Sequence, residues 1–282
     1  MATETTNDQT TEQSRTRRVM YGLTFRKVEV KRVESLTPRY LRITVGGDQL
    51  EGFQSLGAQD HFKLILPAEG QAELVLPEMT PEGPRYPEGA VRPVLRDYTP
   101  RFFDPETNEL TFEVVLHEQG TVSDWARQAA PGQIVGTAGP RGSHIVEYGT
   151  FDWFLAAGDE TSIPSIARAL EALPAGMKAY VFIEVDGPED ELPLPTQADA
   201  TISWLHRNGA VAGTSPVLEQ AIRAFDFPEG EGFQTYTGEA NALRDIRRYL
   251  LKEKGLDKQW IDFSGHWKYG TADFDHHAAI ED

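Results

Sequence analysis

The sequence predicts two domains, a small closed antiparallel β-barrel followed by a doubly wound α/β domain with a parallel sheet. Three observations predict this fold class. A chain of 282 residues is long enough for two domains of ordinary size. Residues 19–147 read as short strands separated by Gly, Pro and Asp turns, which is typical of a barrel. From about residue 151, strands alternate with helices, which indicates a mostly parallel sheet.

The barrel strands are recognised by the alternation of apolar and polar residues. One segment interrupts them: in residues 121–132, Val122, Trp125, Ala126 and Ala129 recur at helical spacing, and a Pro-Gly pair ends the helix. In chain order the predicted strands are TFRKVEVKRVESL, RYLRITVGG, HFKLILP, AELVLP, LRDYTPRFF, ELTFEVVLH and QIVGTAGP.

The second part of the chain has short buried strands, each separated from the next by a polar turn or a helix. In open parallel sheets, ligands bind beyond the carboxyl ends of the strands, so functional residues are expected there. The predicted elements in order are the strand DWFLAAG, the helix IPSIARALEAL, the strands KAYVFIEV and TISWLHR, the helix PVLEQAIRAF, the strand FQTYTG, the helix NALRDIRRYLLKEKG and the strand WIDFSGHW.

The two ends of the chain differ from these domains in composition. The first residues are polar and low in complexity, and they lack the apolar core of a signal peptide. The predicted organisation is a disordered tail over residues 1–17, the barrel over 18–148, the α/β domain over 149–272 and a flexible tail over 273–282.

Composition excludes several classes of function. The net charge of −17 opposes binding to nucleic acids or anionic lipid surfaces. No apolar run approaches the roughly 20 residues of a membrane span, so we expect no membrane insertion. The absence of cysteine excludes disulfides, thiolate nucleophiles and Cys-ligated metal centres, and it fits a reducing cytoplasm. A redox protein of this composition must carry its electrons on a bound cofactor.

A first candidate binding element is the strand VLRDYTPR, residues 94–101. Alternate residues of a strand share a face, so Arg96 and Tyr98 can contact one ligand together. A guanidinium group suits a phosphate, a tyrosine ring gives a flat stacking surface, and the Thr99 hydroxyl can donate or accept a hydrogen bond. A flat, phosphate-bearing cofactor needs these groups, although a barrel strand with a buried tyrosine and a surface arginine would read the same way.

A second candidate element is HEQGTVSDWA, residues 117–126. A strand ends there, Gly120 permits close backbone approach, and a helix begins with Thr121 or Ser123 near its N-cap. Free N–H groups at a helix start favour an anion. A connecting helix capped by Ser or Thr remains the alternative interpretation.

These motifs in this order resemble the siderophore-interacting proteins, flavin-dependent ferric-siderophore reductases within the ferredoxin–NADP reductase superfamily. Three later segments agree with the resemblance. It covers about residues 18–271 and implies a ferredoxin reductase-like fold, with a six-stranded FAD-binding barrel before an NAD(P)H-binding-like domain. The later segments are LAAGDETSIPSIARAL (155–170), TGEANALRDIRRYL (237–250) and SGHWKYG (264–270).

The resemblance implies roles for the residues of both elements. Arg96 would bind the FAD pyrophosphate, Tyr98 would pack against the flavin, and Thr99 would hydrogen-bond near its reactive N5. Asp97, in the same strand, is a further residue expected to bind the cofactor. His117 would lie on the adenine side of the FAD. The residues implied around the diphosphate are Gly120, Thr121, Val122 and Ser123.

In the α/β domain the resemblance implies further cofactor contacts. Asp159, Glu160 and Thr161 would face the flavin or an incoming nicotinamide, with Gly238 and Glu239 on the same rim. The acidic residues would equally suit the start of a helix, and both interpretations stay open. No Gly-x-Gly-x-x-Gly is present, so use of NADH, NADPH or reduced ferredoxin as donor follows from the resemblance alone.

The implied reaction is the reduction of a ferric siderophore, which loosens the iron because hard oxygen ligands hold Fe(II) less tightly than Fe(III). Lys63, Lys268 and, less strongly, Arg42 would supply positive charge for an anionic chelate, with Lys63 and Lys268 joining Thr99 as the catalytic residues. Arg101 would meet either a phosphate or the chelate.

Two segments depart from the family pattern, and a pair of histidines near the end of the sequence allows two interpretations. The turn Gly-Thr-Val-Ser stands where Gly-Pro-Ala-Ser is more usual, and backbone contacts tolerate that change. His266 and Tyr269 replace an aromatic and a basic residue, which weakens any chelate contact from the tail. His276 and His277 are read as part of the flexible tail rather than a metal site.

Two alternative functions are a general flavin or electron-transfer reductase and a non-catalytic protein that binds ferric chelates. The basic residues around the flavin pocket distinguish the first from a siderophore reductase, and the intact flavin motifs argue against the second. A monomer is the expected oligomeric state.

Overall fold

The computed structural model describes residues 15–71, 73–117 and 120–271, together with residues 274 and 280. The expectations for the first 14 residues and for His276 and His277 lie outside these ranges. The strands up to the domain junction are β1 (Thr16–Met20), β2 (Phe25–Thr37), β3 (Tyr40–Gly46), β4 (Phe62–Leu66), β5 (Glu78–Thr80), β6 (Gly83–Arg85), β7 (Val94–Tyr98), β8 (Phe102–Asp104), β9 (Glu109–Val115), β10 (Ile134–Ala138) and β11 (Gly142–Val146), and helix α1 (Thr121–Arg127) lies between β9 and β10.

Seven of these strands form one antiparallel sheet in the order β7-β4-β10-β2-β3-β9-β8. The sheet encloses an apolar cluster that includes Val30, Ile43, Leu64 and Phe112, and helix α1 contributes Val122 to it. The sheet has one strand more than the six expected, because the predicted strand LRDYTPRFF divides into β7 and β8. Pro100 lies at the division, where it has no N–H to give to a ladder.

The predicted strand AELVLP does not pair with the sheet over residues 73–77. Its leucines cover the sheet instead: a Cβ on Gly136 would lie 2.7 Å from Cδ2 of Leu76 and 3.3 Å from Cδ2 of Leu74. Alternating leucines in an extended segment meet the same face whether or not the backbone joins the ladder. The alternation of leucines in this segment therefore indicated that one side is covered, and not that the backbone pairs with a strand.

Strand β1 pairs with β11 in a separate two-stranded sheet, with Thr16 opposite Val146. Ordered structure thus extends into the segment assigned to the N-terminal tail. Arg15 anchors it through an ion pair with Glu231 at 2.7 Å. Its guanidinium also lies over the rings of Phe151 and Trp260.

The remaining strands form a five-stranded parallel sheet, as the alternation of strands and helices predicted. The strand order is β14-β13-β12-β15-β16, which reverses at the first strand of the sheet as in a doubly wound fold. The elements are β12 (Trp153–Asp159), α2 (Ile163–Ala172), β13 (Lys178–Val185), β14 (Asp199–His206), α3 (Val217–Ala224), β15 (Gly232–Glu239), α4 (Ala240–Arg248), a π-helical turn (Tyr249–Glu253) and β16 (Ile261–Trp267).

The two faces of the parallel sheet bury different helices. Phe154 and Ala156 of β12 pack in the cluster that contains α2, whereas Leu155 and Ala157 pack in the cluster that contains α3 and α4. Tyr40 of β3 belongs to the α2 cluster, so the antiparallel sheet packs against that face. Helix α2 therefore lies between the two sheets and contacts the strand ends that carry the candidate site.

Candidate functional site

Strand β7 places Arg96 and Tyr98 on one face of the antiparallel sheet, as their spacing predicted. Arg96 is opposite Leu64 of β4, and Tyr98 is opposite Phe62, and both partners belong to the enclosed apolar cluster. The Tyr98 ring lies 5.4 Å from the ring of Phe112. Burial raises the pKa of the Tyr98 phenol above its ordinary value, so the ring stays neutral.

Lys63 and Asp97 lie on the opposite face of the same two strands. They are direct cross-strand partners, and the Lys63 ammonium donates to both carboxylate oxygens of Asp97, at 3.0 and 2.8 Å. The Lys63 side chain remains 41% exposed. Arg96 and Tyr98 are therefore separated from Lys63 by the thickness of the sheet, whereas Asp97, also predicted to hold the cofactor, lies on the Lys63 side. Sequence alone does not give this register.

Helix α2 holds the turn that follows Tyr98. Arg168 Nη1 donates to the carbonyl of Pro100 at 2.9 Å and to Ser55 Oγ at 2.8 Å, and Nη2 donates to the carbonyl of Ser55 at 2.8 Å. One helical turn later, Glu171 accepts two hydrogen bonds from Arg101, at 3.0 and 2.6 Å. These contacts fix the two residues that follow Thr99, and Thr99 itself is half-buried.

Sequence reasoning assigned no role to Arg168 and Glu171. They are the two charged residues of helix α2 and lie three positions apart. Residues at this spacing lie on the same side of a helix, so the pair indicates that this side makes polar contacts. Arg101, predicted to meet a phosphate or the chelate, is buried in this contact instead.

Arg42 is also engaged within the protein. Its Nε and Nη2 donate to Glu113 Oε1 at 3.0 and 2.6 Å, and its guanidinium lies over the ring of Phe102. A contact between Arg42 and a chelate would compete with this ion pair.

Gly120, the residue before helix α1, packs closely against the ring of His117. Gly120 has φ of 157°, and a Cβ there would lie 2.3 Å from Cε1 of His117. The helix has no side-chain N-cap, because the N-cap residue is Gly120. The buried Ser123 hydroxyl, one of the predicted caps, instead bonds the backbone N–H and carbonyl of His117, each at 2.9 Å. The backbone amides of Thr121, Val122 and Ser123, rather than the Ser123 side chain, can therefore meet a diphosphate.

At the carboxyl end of β12, Asp159 is buried among hydrogen-bond donors. The Thr161 amide donates at 2.9 Å, the Thr161 hydroxyl at 2.5 Å and Trp267 Nε1 at 2.8 Å. Thr161 Oγ1 also lies 3.1 Å from Nδ1 of His266. Gly238 packs so closely that a Cβ there would lie 2.6 Å from Asp159 Oδ2. The predicted rim residues are thus in contact, and Asp159 caps the turn that starts at Glu160.

Further carboxylates gather at this edge of the parallel sheet. Glu160, Glu184 and Glu239 line one small pocket with Asp159 and Trp267. Arg207 donates to both oxygens of Glu160, at 2.8 and 2.6 Å. Burial, together with the charges of Asp159 and Glu160, raises the pKa of Glu184 to about 7. Sequence reasoning missed Glu184 and Arg207, although Glu184 lies near the end of β13, which pairs with β12, and Arg207 follows β14, which pairs with β13.

Lys268 follows the last strand and pairs with Thr271 across a short turn. The next residue, Tyr269, donates its amide to Glu239 Oε1 at 2.9 Å. Lys268 is therefore fixed beside the carboxylate edge of the parallel sheet, whereas Lys63 belongs to the antiparallel sheet.

The residues of the antiparallel sheet fit FAD. Arg96 and Tyr98 share one face, an uncapped helix start offers backbone amides, and Gly120 allows the His117 ring to pack against the start of that helix. These are a guanidinium and amides for the diphosphate and an aromatic ring for the flavin.

Two family models match the chain. The siderophore-interacting FAD-binding domain matches residues 29–144, and the siderophore-interacting protein model matches residues 151–270. The first range contains Arg96, Tyr98, Thr99 and Gly120, and the second contains the carboxylate edge.

A relative and two solved structures extend the comparison. The NADPH-dependent ferric-chelate reductase of Escherichia coli is 33% identical over 256 residues, which is 89% of this chain and 95% of that protein. A siderophore utilization protein from T. fusca superposes with a TM-score of 0.86 at 38% identity, over 93% of this chain and 100% of that one. A ferredoxin NADP+ reductase from Neisseria gonorrhoeae gives 0.55 at 14% identity, over 86% of this chain and 99% of that one, which confirms the ferredoxin reductase-like fold.

Proposed function

This chain belongs to the siderophore-interacting protein family, and on that premise we propose that it is a FAD-dependent reductase of ferric siderophores. The observation that carries the proposal is the arrangement of Arg96, Tyr98 and Thr99. Two of them share a face of β7, the third begins a turn held by Arg168, and all lie within the FAD-binding family match. The match to a ferric-chelate reductase over 89% of the chain supports the same reaction class.

We assign the cofactor contacts residue by residue. Arg96 and the backbone amides of residues 120–123 bind the diphosphate, and His117 lies on the adenine side. Tyr98 packs against the flavin, and Thr99 presents its hydroxyl near the reactive nitrogen. Asp97 acts through Lys63 rather than by touching the cofactor, because its carboxylate oxygens hold the Lys63 ammonium. Asp159 and Thr161 shape the rim that the donor approaches.

When held by these residues, FAD would supply the chemistry that links a two-electron donor to the one-electron reduction of iron. The protein's own contribution is to bind and orient. We assign Lys63 and Lys268 to the anionic chelate in a chain of net charge −17. Lys63 would exchange its ion pair with Asp97 for the chelate, and Lys268 would offer its charge from the turn beside the carboxylate edge. No protein ligand to the iron is required.

The electron donor in this proposal is NADH or NADPH, and a reduced ferredoxin is the alternative. The nucleotide would approach the carboxyl end of the parallel sheet, where doubly wound folds bind dinucleotides. Among the described residues, no helix is long and apolar enough to cross a bilayer. We further propose that the protein acts as a monomer in the cytoplasm.

Anaerobic stopped-flow spectroscopy tests the proposal. The purified protein is expected to show flavin absorption, to bleach with NADH or NADPH, and to regain its colour on mixing with ferric siderophores. Reoxidation should be faster for anionic ferric chelates than for a neutral or cationic chelate of similar potential. Reoxidation at one rate with every acceptor would instead favour a general flavin reductase, and protein without flavin would favour a chelate-binding protein.

A further inference from the structure

A second pocket opens at the end of the antiparallel sheet where β2 begins and β10 ends. Its volume is about 340 Å³, within the range of small-molecule sites. Tyr21, Thr24 and Gln54 contribute polar groups to its lining, and Met20 and Pro140 contribute apolar surface. None of these residues belongs to the flavin site described above.

Arg26 lines this pocket and is only 8% exposed. Its Nη1 donates to the carbonyl oxygens of Gly139, at 3.0 Å, and Thr24, at 3.4 Å, while its Nε is buried and has no hydrogen-bond partner in the described part of the chain. Directly opposite on β10, the buried hydroxyl of Thr137 also has no partner there. Two neighbouring buried polar groups are therefore left unsatisfied, one of them on Arg26, which lines the pocket.

The guanidinium of Arg26 also has no ion-pair partner among residues 15–71, 73–117 and 120–271. Burial lowers its pKa, and no carboxylate acts in the opposite direction. An arginine nevertheless stays protonated in proteins, so the charge is retained without a counter-ion. A buried unpaired charge carries a large desolvation cost, which an anion in the pocket would remove.

Other buried arginines of the protein do meet carboxylates. Arg101 pairs with Glu171, and the largely buried side chain of Arg207 pairs with Glu160. The buried carboxylate of Asp60 accepts from Ser143, whose hydroxyl also bonds the Tyr21 hydroxyl at the pocket, but its electrostatic partner is Arg168 and not Arg26. A chain with 44 acidic residues leaves this one buried cation unneutralised in the ranges that the structure describes.

We propose that this pocket binds a small organic anion whose carboxylate or phosphate group contacts Arg26. The planar guanidinium suits both oxyanions, and the hydroxyls and amide of the lining supply further hydrogen bonds. Arg26 is three strand positions from Arg96 in the sheet order, roughly 14 Å at the usual strand spacing. Arg26 and Arg96 lie in one cross-strand row, but no residue assigned to the flavin lines this pocket, and the proposal does not depend on the proposed function.

Isothermal titration calorimetry of the purified full-length protein with inorganic phosphate, citrate and benzoate tests the proposal. We expect saturable binding of at least one probe, and the preferred probe distinguishes a phosphate ligand from a carboxylate ligand. Arg26→Met should weaken that binding about 10- to 100-fold, because hydrogen bonds to a charged group are lost. Arg26→Lys should recover part of it, since the charge remains.

A second variant blocks the pocket without touching Arg26. Gly22 lines the pocket, and a Cβ built on it meets nothing within 4 Å. Gly22→Phe should therefore fold normally and abolish binding, and it decides the question if Arg26→Met does not fold. Arg248→Met, which removes an exposed arginine on helix α4, is the matched control and should bind as the unaltered protein does.

Flavin absorption should be the same in all of these variants, because the pocket lies outside the flavin site. The proposal is overturned if no probe binds the unaltered protein, or if Gly22→Phe and Arg26→Met both bind it with undiminished affinity.

Discussion

Arg168 of helix α2 donates a hydrogen bond of 2.9 Å to the carbonyl oxygen of Pro100, the residue that follows Thr99. The helix begins directly after the turn that Asp159 caps, at the edge of the parallel sheet. One short helix thus connects the edge where the donor would bind to the turn where Thr99 would meet the flavin. Under the proposed function, this contact would set the placement of the donor relative to the flavin.

Replacing Arg168 should therefore disturb the flavin site from outside it. Arg168→Met leaves the carbonyls of Ser55 and Pro100 without their donor, so we expect the free energy of unfolding to fall by about 1–3 kcal/mol. We also expect flavin reduction by the donor to slow about tenfold, because small misplacement of reacting groups is costly. Rapid-mixing absorbance and denaturant titration measure the two effects.

Arg168→Lys is the matched control for that experiment. A lysine can keep one of the three hydrogen bonds, so its reduction rate should lie between those of the other two proteins. An unchanged reduction rate in Arg168→Met, with the expected loss of stability, would limit Arg168 to a structural role.

Arg96→Ala should yield mostly protein without flavin. The substitution removes the guanidinium assigned to the diphosphate and leaves Tyr98 and the helix start intact. The ratio of flavin absorbance to protein absorbance after purification measures occupancy. Arg85→Ala, in the exposed β5–β6 hairpin, is the control and should keep full occupancy. Full occupancy in Arg96→Ala would remove Arg96 from the cofactor site.

Lys63 and Asp97 should have opposite effects on the binding of an anionic chelate. Lys63→Ala removes positive charge and should raise KM several-fold with little change in kcat, the signature of lost uniform binding. Asp97→Asn removes the carboxylate that now holds the lysine, so it should lower KM. Steady-state kinetics with an anionic and a neutral ferric chelate measure both. If KM moves equally for the two chelates, or does not move, Lys63 does not contact the substrate.

The carboxylate edge should make stability depend on pH. The pKa of Glu184 rises from 4.5 in the unfolded chain to about 7 in the folded protein, so the folded state binds the proton more tightly. The free energy of unfolding should therefore fall as pH rises from about 4.5 to 7, by up to about 3 kcal/mol from this group, and level off above that range.

Glu184→Gln tests this assignment, because the amide cannot ionise. The variant should be more stable than the unaltered protein at pH 8, and the two should converge near pH 4.5 in urea titrations. Glu253→Gln, on the exposed end of the π-helical turn, should leave the pH dependence in place. An identical pH slope in Glu184→Gln would mean that other carboxyls carry the protons.

Local patterns were sufficient to predict the fold class. The alternation of TFRKVEVKRVESL predicted β2, and the strand–helix alternation after residue 151 predicted every element of the parallel sheet over the described ranges. The prediction of strands from alternating residues failed where the alternation had another cause than strand pairing. In AELVLP the leucines alternate because they cover Gly136, and the backbone pairs with no neighbour over residues 73–77.

Within the site, the sequence predicted features set by the geometry of a single strand. It did not predict contacts that depend on how two strands align. The shared face of Arg96 and Tyr98 follows from the period of a single strand. The pairing of Lys63 with Asp97 depends on the register between β4 and β7, which are separated by residues 67–93. The contacts of Arg168 and Arg207 depend in the same way on how distant segments pack.

The register of β4 against β7 also determines which changes in chain length the protein can accept. Residues 67–93 connect the two strands, so insertions and deletions in that stretch that spare Leu74 and Leu76, which cover Gly136, should leave both faces of β7 as they are. One residue added inside β7 would turn Arg96 and Tyr98 toward the side now held by Lys63, and the aspartate toward the apolar interior. Homologues that differ in length here are therefore expected to differ in the connection and to keep the strand itself constant.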